Sequence, residues 1–272
     1  MQVLFLYKAK DGDRVFISDK FIFNGIHSDE MGVALISFNT NILNEHGLKF
    51  NRGVSLSKNN IDMSHFISKE DTIEEIELDI ALIDNLYTPI SWEDETLIHV
   101  IDWLTTDSFV EFISEDNVEL TYFFKTTKIT KYFNHKKQGY LKVTLQPFSN
   151  YAYKKFSKKY TFDSPSSFTI FNPSNLKNMY KPIIEIKNLG DSSNVITIEN
   201  ESIDKEPFIV QGIKENEVVT IDNLLGTVYN EDKENLLVNC NRKWINLKNG
   251  KNTINVSGNL EINIKCQFPV MV

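Results

Sequence analysis

Long apolar runs are absent from this 272-residue chain. No stretch approaches the roughly 18 apolar residues of a membrane span, so no membrane insertion is expected. The opening Met1–Tyr7 holds a short apolar stretch, but Lys8, Lys10 and Asp11 follow at once. That is too short and too polar for a signal peptide. Cysteine is nearly absent, with only Cys240 and Cys266, both in the last third. Cys266 sits in a strand-like run and is expected to be a buried thiol. A disulfide to Cys240 stays open, although nothing marks the chain as secreted. Alanine is scarce, whereas 19 Phe and 10 Tyr favour strands over helices. At 41% hydrophobic and 24% charged the composition is that of an ordinary soluble globular protein, and the length suits two domains.

The signatures of catalysis are missing too. There is no Gly-x-Ser-x-Gly, no Walker loop and no GxGxxG. His27, His46, His65, His99 and His135 are scattered, without an HxxxH or HxH pair or a nearby cysteine. No metal or cofactor site is therefore expected. Asp11-Gly12-Asp13 resembles the start of a calcium loop, but the remaining ligand positions do not follow, so it reads as a hairpin turn. The carboxylates of Glu70–Asp84 and Glu93–Glu95 could hide a glycosidase pair; a solvated acidic face is the plainer reading. Sugar binding would need aromatic platforms, for which Trp244 and Tyr229, near Asn- and Asp-rich loops, are the candidates. For Trp244 the alternative is a core or edge residue.

What is present is mostly strand pattern. Ile76, Leu78, Ile80 and Leu82 alternate with polar neighbours, as do Leu141, Val143 and Leu145, and Leu260, Ile262, Ile264 and Cys266. Shorter strands are expected at Val15–Ile17, Phe21–Phe23, Val33–Phe38, Phe109–Ile113, Leu120–Phe124, Ile183–Ile186, Val195–Ile198, Phe208–Val210, Val218–Ile221 and Thr253–Val256. Asn24-Gly25, Leu189-Gly190-Asp191, Asn249-Gly250 and Ser257-Gly258-Asn259 are turn signals between them. One helix is expected where Leu97, Val100, Ile101 and Leu104 follow helical spacing, with Ser91 as N-cap, acids in the first turn, and Thr105-Thr106-Asp107 as its end. Trp92 and Trp103 flank it as core anchors, and His99 is a surface or boundary residue. Alternation fails between Pro147 and Pro182, where polar, proline-punctuated chain marks a boundary. From Pro182 to Val272 short strands recur without a helix period, which suggests a compact antiparallel sandwich.

The net charge of -8 argues against general affinity for nucleic acid. The charge is unevenly placed, however. From Asp62 to Thr121 the carboxylates face a single cation, Lys69, whereas Lys125 to Lys159 holds ten lysines and no carboxylate.

Three groups of residues carry a resemblance. Phe21-Ile22-Phe23-Asn24-Gly25-Ile26-His27-Ser28, followed by Met31-Gly32-Val33, resembles the opening hairpin of the distal tail proteins of long-tailed phages. Trp92 through Trp103-Leu104, then Phe109 to Phe124 and Leu145-Gln146-Pro147-Phe148, is similar to that family's helix, following hairpin and closing strand. Tyr180-Lys181-Pro182-Ile183-Ile184, Val219-Thr220-Ile221-Asp222 and Leu247-Lys248-Asn249-Gly250-Lys251-Asn252-Thr253-Ile254 resemble its C-terminal domain. The order is right and coverage is nearly full-length. One departure is that the hairpin begins after about 20 residues, so Met1–Asp19 is expected to add a strand or an arm.

The resemblance implies a mainly β chain: an N-terminal β-sandwich with one α-helix over residues 1–155, and a C-terminal galectin-like β-sandwich over 156–272. It implies a structural protein, not an enzyme, located at the virion tail tip after assembly in the host cytoplasm. A homo-hexameric ring would join the tail tube protein to the tail-tip hub or tail-associated lysin, and receptor-binding proteins are further candidate partners. No sugar-binding insertion is visible in the short C-terminal domain. In such a ring the basic patch, with Lys125, Lys128, Lys131, Lys136 and Lys137, would meet the acidic patch of the next subunit. The alternative is that the two segments pair as adjacent strands of one subunit. Competing readings are a carbohydrate-binding module using Trp244 and Tyr229, and a glycan-cleaving enzyme.

Overall fold

Alternation becomes strand wherever both faces find a use, one in a core and one in solvent. The computed structural model describes residues 16, 18–36, 50–56, 67–176, 178–204 and 206–271, with backbone only for 50–56 and 67–73. In chain order the elements are β1 (Phe21–Phe23), β2 (Ile26–His27), β3 (Val33–Ile36), β4 (Phe50–Leu56), β5 (Ile67–Ile73), β6 (Ile76–Leu82), α1 (Asp94–Leu104), β7 (Val110–Ser114), β8 (Leu120–Phe133), β9 (Gly139–Pro147), β10 (Ala152–Phe162), β11 (Ser166–Asn172), β12 (Ile183–Asn188), β13 (Ile196–Asn200), β14 (Phe208–Val210), β15 (Val218–Asp222), β16 (Thr227–Asn230), β17 (Gly250–Ser257) and β18 (Leu260–Val270). The expected mainly β class, with one α-helix among the described residues, is what forms. The chain divides into two compact units, Met1–Ala152 and Tyr153–Met271.

The first unit orders its strands β3-β6-β9-β8-β7-β1-β2, and β4 and β5 form a separate hairpin. Its core is aromatic. Phe21 stacks on Trp103 at 5.7 Å and on Phe112 at 5.4 Å, and Phe112 meets Phe124 edge-on at 5.4 Å. Each such pair adds about 0.5–1.5 kcal/mol beyond its burial. The turn at Asn24-Gly25 closes the β1–β2 hairpin, with both residues at positive φ, 50° and 78°. The indole of Trp103 donates to the carbonyl of Phe23 at 3.0 Å. Two of the recognised motifs therefore meet in one buried contact.

The second unit is a sandwich. One sheet runs β16-β15-β12-β18-β10 and the other β11-β17-β13-β14. Its core is aliphatic. In register, Ile184 faces Ile264 and Ile221, Ile186 faces Ile262 and Val219, and Ile198 faces Val256 and Phe208. Cys266 is buried within it, which pushes its thiol up to about 12, and both cysteines are free.

Buried asparagines end several of these strands. Asn172, Asn188, Asn200 and Asn230 are the last residues of β11, β12, β13 and β16, and all four are buried. Asn188 is saturated: its Nδ2 donates to the carbonyl of Ile213 at 2.8 Å and of Asp191 at 3.1 Å, and its Oδ1 accepts from Gly190 N at 3.1 Å and Asn194 Nδ2 at 2.7 Å. Asn200 likewise donates to the carbonyl of Asn246 at 2.7 Å and accepts from Ser202 N at 3.1 Å. Each amide offers the backbone a turn in place of the next ladder bond, which stops the strand.

Three sequence expectations need correction. Ser91 is not the N-cap; it bridges to Gln138 as extended chain, and Trp92 follows into the core, so Glu93 takes the cap position without a side-chain cap bond. The segment between Pro147 and Pro182 is not merely linker, since β10 and β11 lie there. In β10 the partly buried Phe156 and Tyr160 are separated by Ser157-Lys158-Lys159, which hides the alternation that Tyr160 and Phe162 continue. Leu120–Phe124 is only the start of a 14-residue strand. Asp11-Gly12-Asp13, most of Met1–Asp19, the ends of the Val15–Ile17 and Val33–Phe38 strands, His46, Asp62 and His65 lie outside the described residues; Phe16 is buried against Phe112.

Asn188→Ala is expected to cost about 2–3 kcal/mol, because it leaves several buried backbone groups unpaired. A urea titration would register this as a lower midpoint at unchanged slope.

Candidate assembly surface

The candidate lysines depend on the course of β8. Its first part pairs with β7, Val110 opposite Phe124, and its later part pairs with β9 from Phe124 opposite Pro147 to Phe133 opposite Gly139. Up to Thr126 the even-numbered residues point to the core: Leu120, Tyr122 and Phe124 are buried. The register then slips by one residue between Thr126 and Lys128. This bulge reverses the parity. Ile129 now lies opposite buried Val143, and Lys131 and Phe133 share its face, while Lys128, Thr130 and Tyr132 turn to the other side beside Thr144, Lys142 and Tyr140.

The tip of the β8–β9 hairpin is held against the start of α1. Trp92 N donates to the carbonyl of Lys137 at 2.9 Å, and its indole to the carbonyl of Gly139 at 3.1 Å. Phe133 stacks on Trp92 at 5.8 Å. A Cβ on Gly139 would lie 1.9 Å from the carbonyl oxygen of Tyr132, so only glycine fits there.

The charge split is resolved within the chain in part. Lys137 pairs with Asp94 at 2.7 Å and holds that carboxyl below its usual range. Because β6 lies beside β9, Lys142 pairs with Glu77 at 2.8 Å. Such exposed pairs are worth little individually. Lys125 is half-buried; Lys128, Lys131 and Lys136 are exposed, and none of the four forms an ion pair among the described residues. Asp79 stands next to Lys142 at 3.9 Å with its side chain 22% exposed, and its Oδ1 takes no hydrogen bond among the described residues. Burial raises its pKa, Lys142 opposes this, and Glu77 adds to it.

The proposed glycan residues are placed apart. Tyr229 lies on β16 between buried Val228 and buried Asn230, on the outer face of its sheet, with the Lys233 ammonium 4.6 Å from its ring. Trp244 packs from the core side, 6.0 Å from Phe208 and against Gly226. A depression of about 340 Å³ is lined by Ser192, Ser193, Val195, Gln211, Gly212, Val238 and Asn239, without either aromatic or any carboxylate. Among the described residues no three His, Cys, Asp or Glu side chains are grouped to hold a metal. His99 is exposed on α1, and His27 bonds Glu115 at 2.8 Å. The bulge was missed in sequence; Thr126-Thr127 interrupting the aromatic alternation before Lys128 is the signal that marks it.

Residues 16–147 match the model described as phage tail protein N-terminal domain, and residues 151–266 the one described as phage tail C-terminal domain. The chain belongs to the phage tail protein family that these two models describe. The SPbeta prophage-derived uncharacterized protein YomH of Bacillus subtilis is 25% identical over 254 residues, 92% of this chain and 97% of that protein. Among solved structures, the SPP1 Dit protein (gp 19.1), described as a paradigm of the hub adsorption apparatus of phages infecting Gram-positive bacteria, shares the fold. Its TM-score is 0.54 at 12% identity, covering 92% of this chain and 98% of that one. A chain of the phage P2 baseplate is more distant, at TM-score 0.46 and 11% identity. Membership makes this a phage tail component.

Two outcomes test the surface. Deleting Thr127 takes out the extra residue without changing the faces that Lys128 and Ile129 occupy, so near-UV circular dichroism is expected to keep a cooperative unfolding transition, whereas deleting Thr130, beyond the bulge, would turn Phe133 outward and lose that transition. Asp79→Asn should raise stability at neutral pH. A carboxyl whose folded pKa is raised weakens the fold as pH climbs through its titration, so the gain should fade below about pH 4 in pH-resolved thermal melts.

Proposed function

We propose that six copies of this chain form a ring at the distal end of a phage tail, which joins the tail tube to the tail-tip adsorption apparatus. Residues 1–155 form the ring, and residues 156–272 stand outward as a galectin-like platform where receptor-binding proteins could attach. The role is mechanical, without catalysis. The tube protein contacts one side of the ring, and the tail-tip hub or lysin the other. The ring is built in the host cytoplasm before the virion is complete.

One observation carries this reading: two tail-protein domain matches, in order, fall on two units that each have their own core. Separate cores let one unit be locked in a ring while the other carries partners. Negative-stain imaging and native mass measurement of the purified chain are expected to give six-fold particles with a central hole. A single-copy mass across a wide concentration range would count against the ring.

A further inference from the structure

We propose that the β8–β9 hairpin of one copy docks on the outer face of helix α1 of the next copy, through Tyr132, Lys128 and Lys136 on one side and Ile98, Glu95 and Asp102 on the other. This rests on the ring reading and names its contact.

Helix α1 buries Leu97, Val100, Trp103 and Leu104 and turns its opposite face to solvent. At the centre of that face Ile98 is 61% exposed. At helical spacing Asp94 and Asp102 lie one turn to either side of it, and Glu95 lies beside it. Asp94 is already paired with Lys137 of its own chain, whereas Glu95 and Asp102 form no ion pair among the described residues. An exposed isoleucine among carboxylates is an apolar centre with an acidic rim.

The hairpin carries the counterpart. Tyr132 is 47% exposed, with its ring stacked on Tyr140 at 5.0 Å, which holds it in place. Lys128 shares its face four residues earlier, and Lys136 is in the tip turn; both are exposed. An aromatic centre with a basic rim matches the helix face in chemistry, the apolar pair giving contact and the charges giving register.

The two faces also point apart. Strand alternation puts Tyr132 and Phe133 on opposite sides of the hairpin, and Phe133 stacks on Trp92 at the entrance to α1. The helix thus lies on one side of the hairpin and Tyr132 faces the other. A copy can then offer its helix to one neighbour and its hairpin to another, the heterologous contact that closes into rings. Helix-to-helix or hairpin-to-hairpin pairing would oppose like charges, which disfavours a two-fold dimer.

A charge swap on the full chain tests the contact, read by native mass spectrometry and negative stain. Lys128→Glu with Lys136→Glu is expected to lower the ring fraction about tenfold, and so is Glu95→Lys with Asp102→Lys. All four together should restore it. All four positions are exposed, so the thermal midpoint should stay constant through the series. Rings that persist through both reversals, or that fail to return in the fourfold variant, overturn this contact and leave the ring reading standing. A wild-type chain that never forms rings overturns the ring reading itself, and the contact with it.

Discussion

The constraint on which the first unit depends is that β8 belongs to two pairings at once. Phe124 is the crossover: it faces Val110 of β7 on one side and Pro147 of β9 on the other, and is fully buried. Before it, the strand completes the aromatic core around Phe21, Phe112 and Trp103. After it, a bulge at Thr127 reverses which side chains face inward. Without that reversal Ile129 and Phe133 would face solvent, and Trp92 would lose the ring it stacks on. The seat of the helix and the exposure of Lys128 and Tyr132 therefore follow from one extra residue.

The two units keep their shape by different means. The first relies on large rings, which supply much buried area per residue and tolerate the short strands β1, β2 and β7. The second relies on β-branched aliphatics in strict alternation, closed by inward-facing asparagines. Asn223 is a further case: it donates to the carbonyl of Pro182 and accepts from Ile245 N, both at 2.8 Å, tying the loop after β15 to the chain on either side. Buried amides of this kind are costly unless fully bonded, and so they specify one loop arrangement rather than many. A rigid second unit suits a tail component that must present the same surface in every copy.

Several charged side chains of the first unit are engaged locally. His27 bonds Glu115, Asp94 bonds Lys137, and Glu77 bonds Lys142, each within the first unit. These are surface contacts of small energy. Among the described residues Lys128 and Lys136 on the hairpin and Glu95 and Asp102 on the helix have no such partner.

Much of the fold was legible in sequence. Period-two alternation located the centres of β6, β9 and β18, helical spacing located α1, and the ordered motifs around Phe21–Ser28 and Leu247–Ile254 pointed to the family, because these patterns are local and each has a physical cause in burial or turn geometry. The limits of α1, the strands β10 and β11, and the length of β8 were not legible. Ser91 looks like a cap until Trp92 must enter the core, lysines mask the alternation of β10, and a bulge is invisible until a partner strand fixes the register. The sequence by itself determined that the chain is mainly β and that its charge is divided between two segments. Only the tertiary structure decided which charges neutralise each other across β6 and β9 and which remain on the surface, since that depends on strand neighbours far apart in the chain.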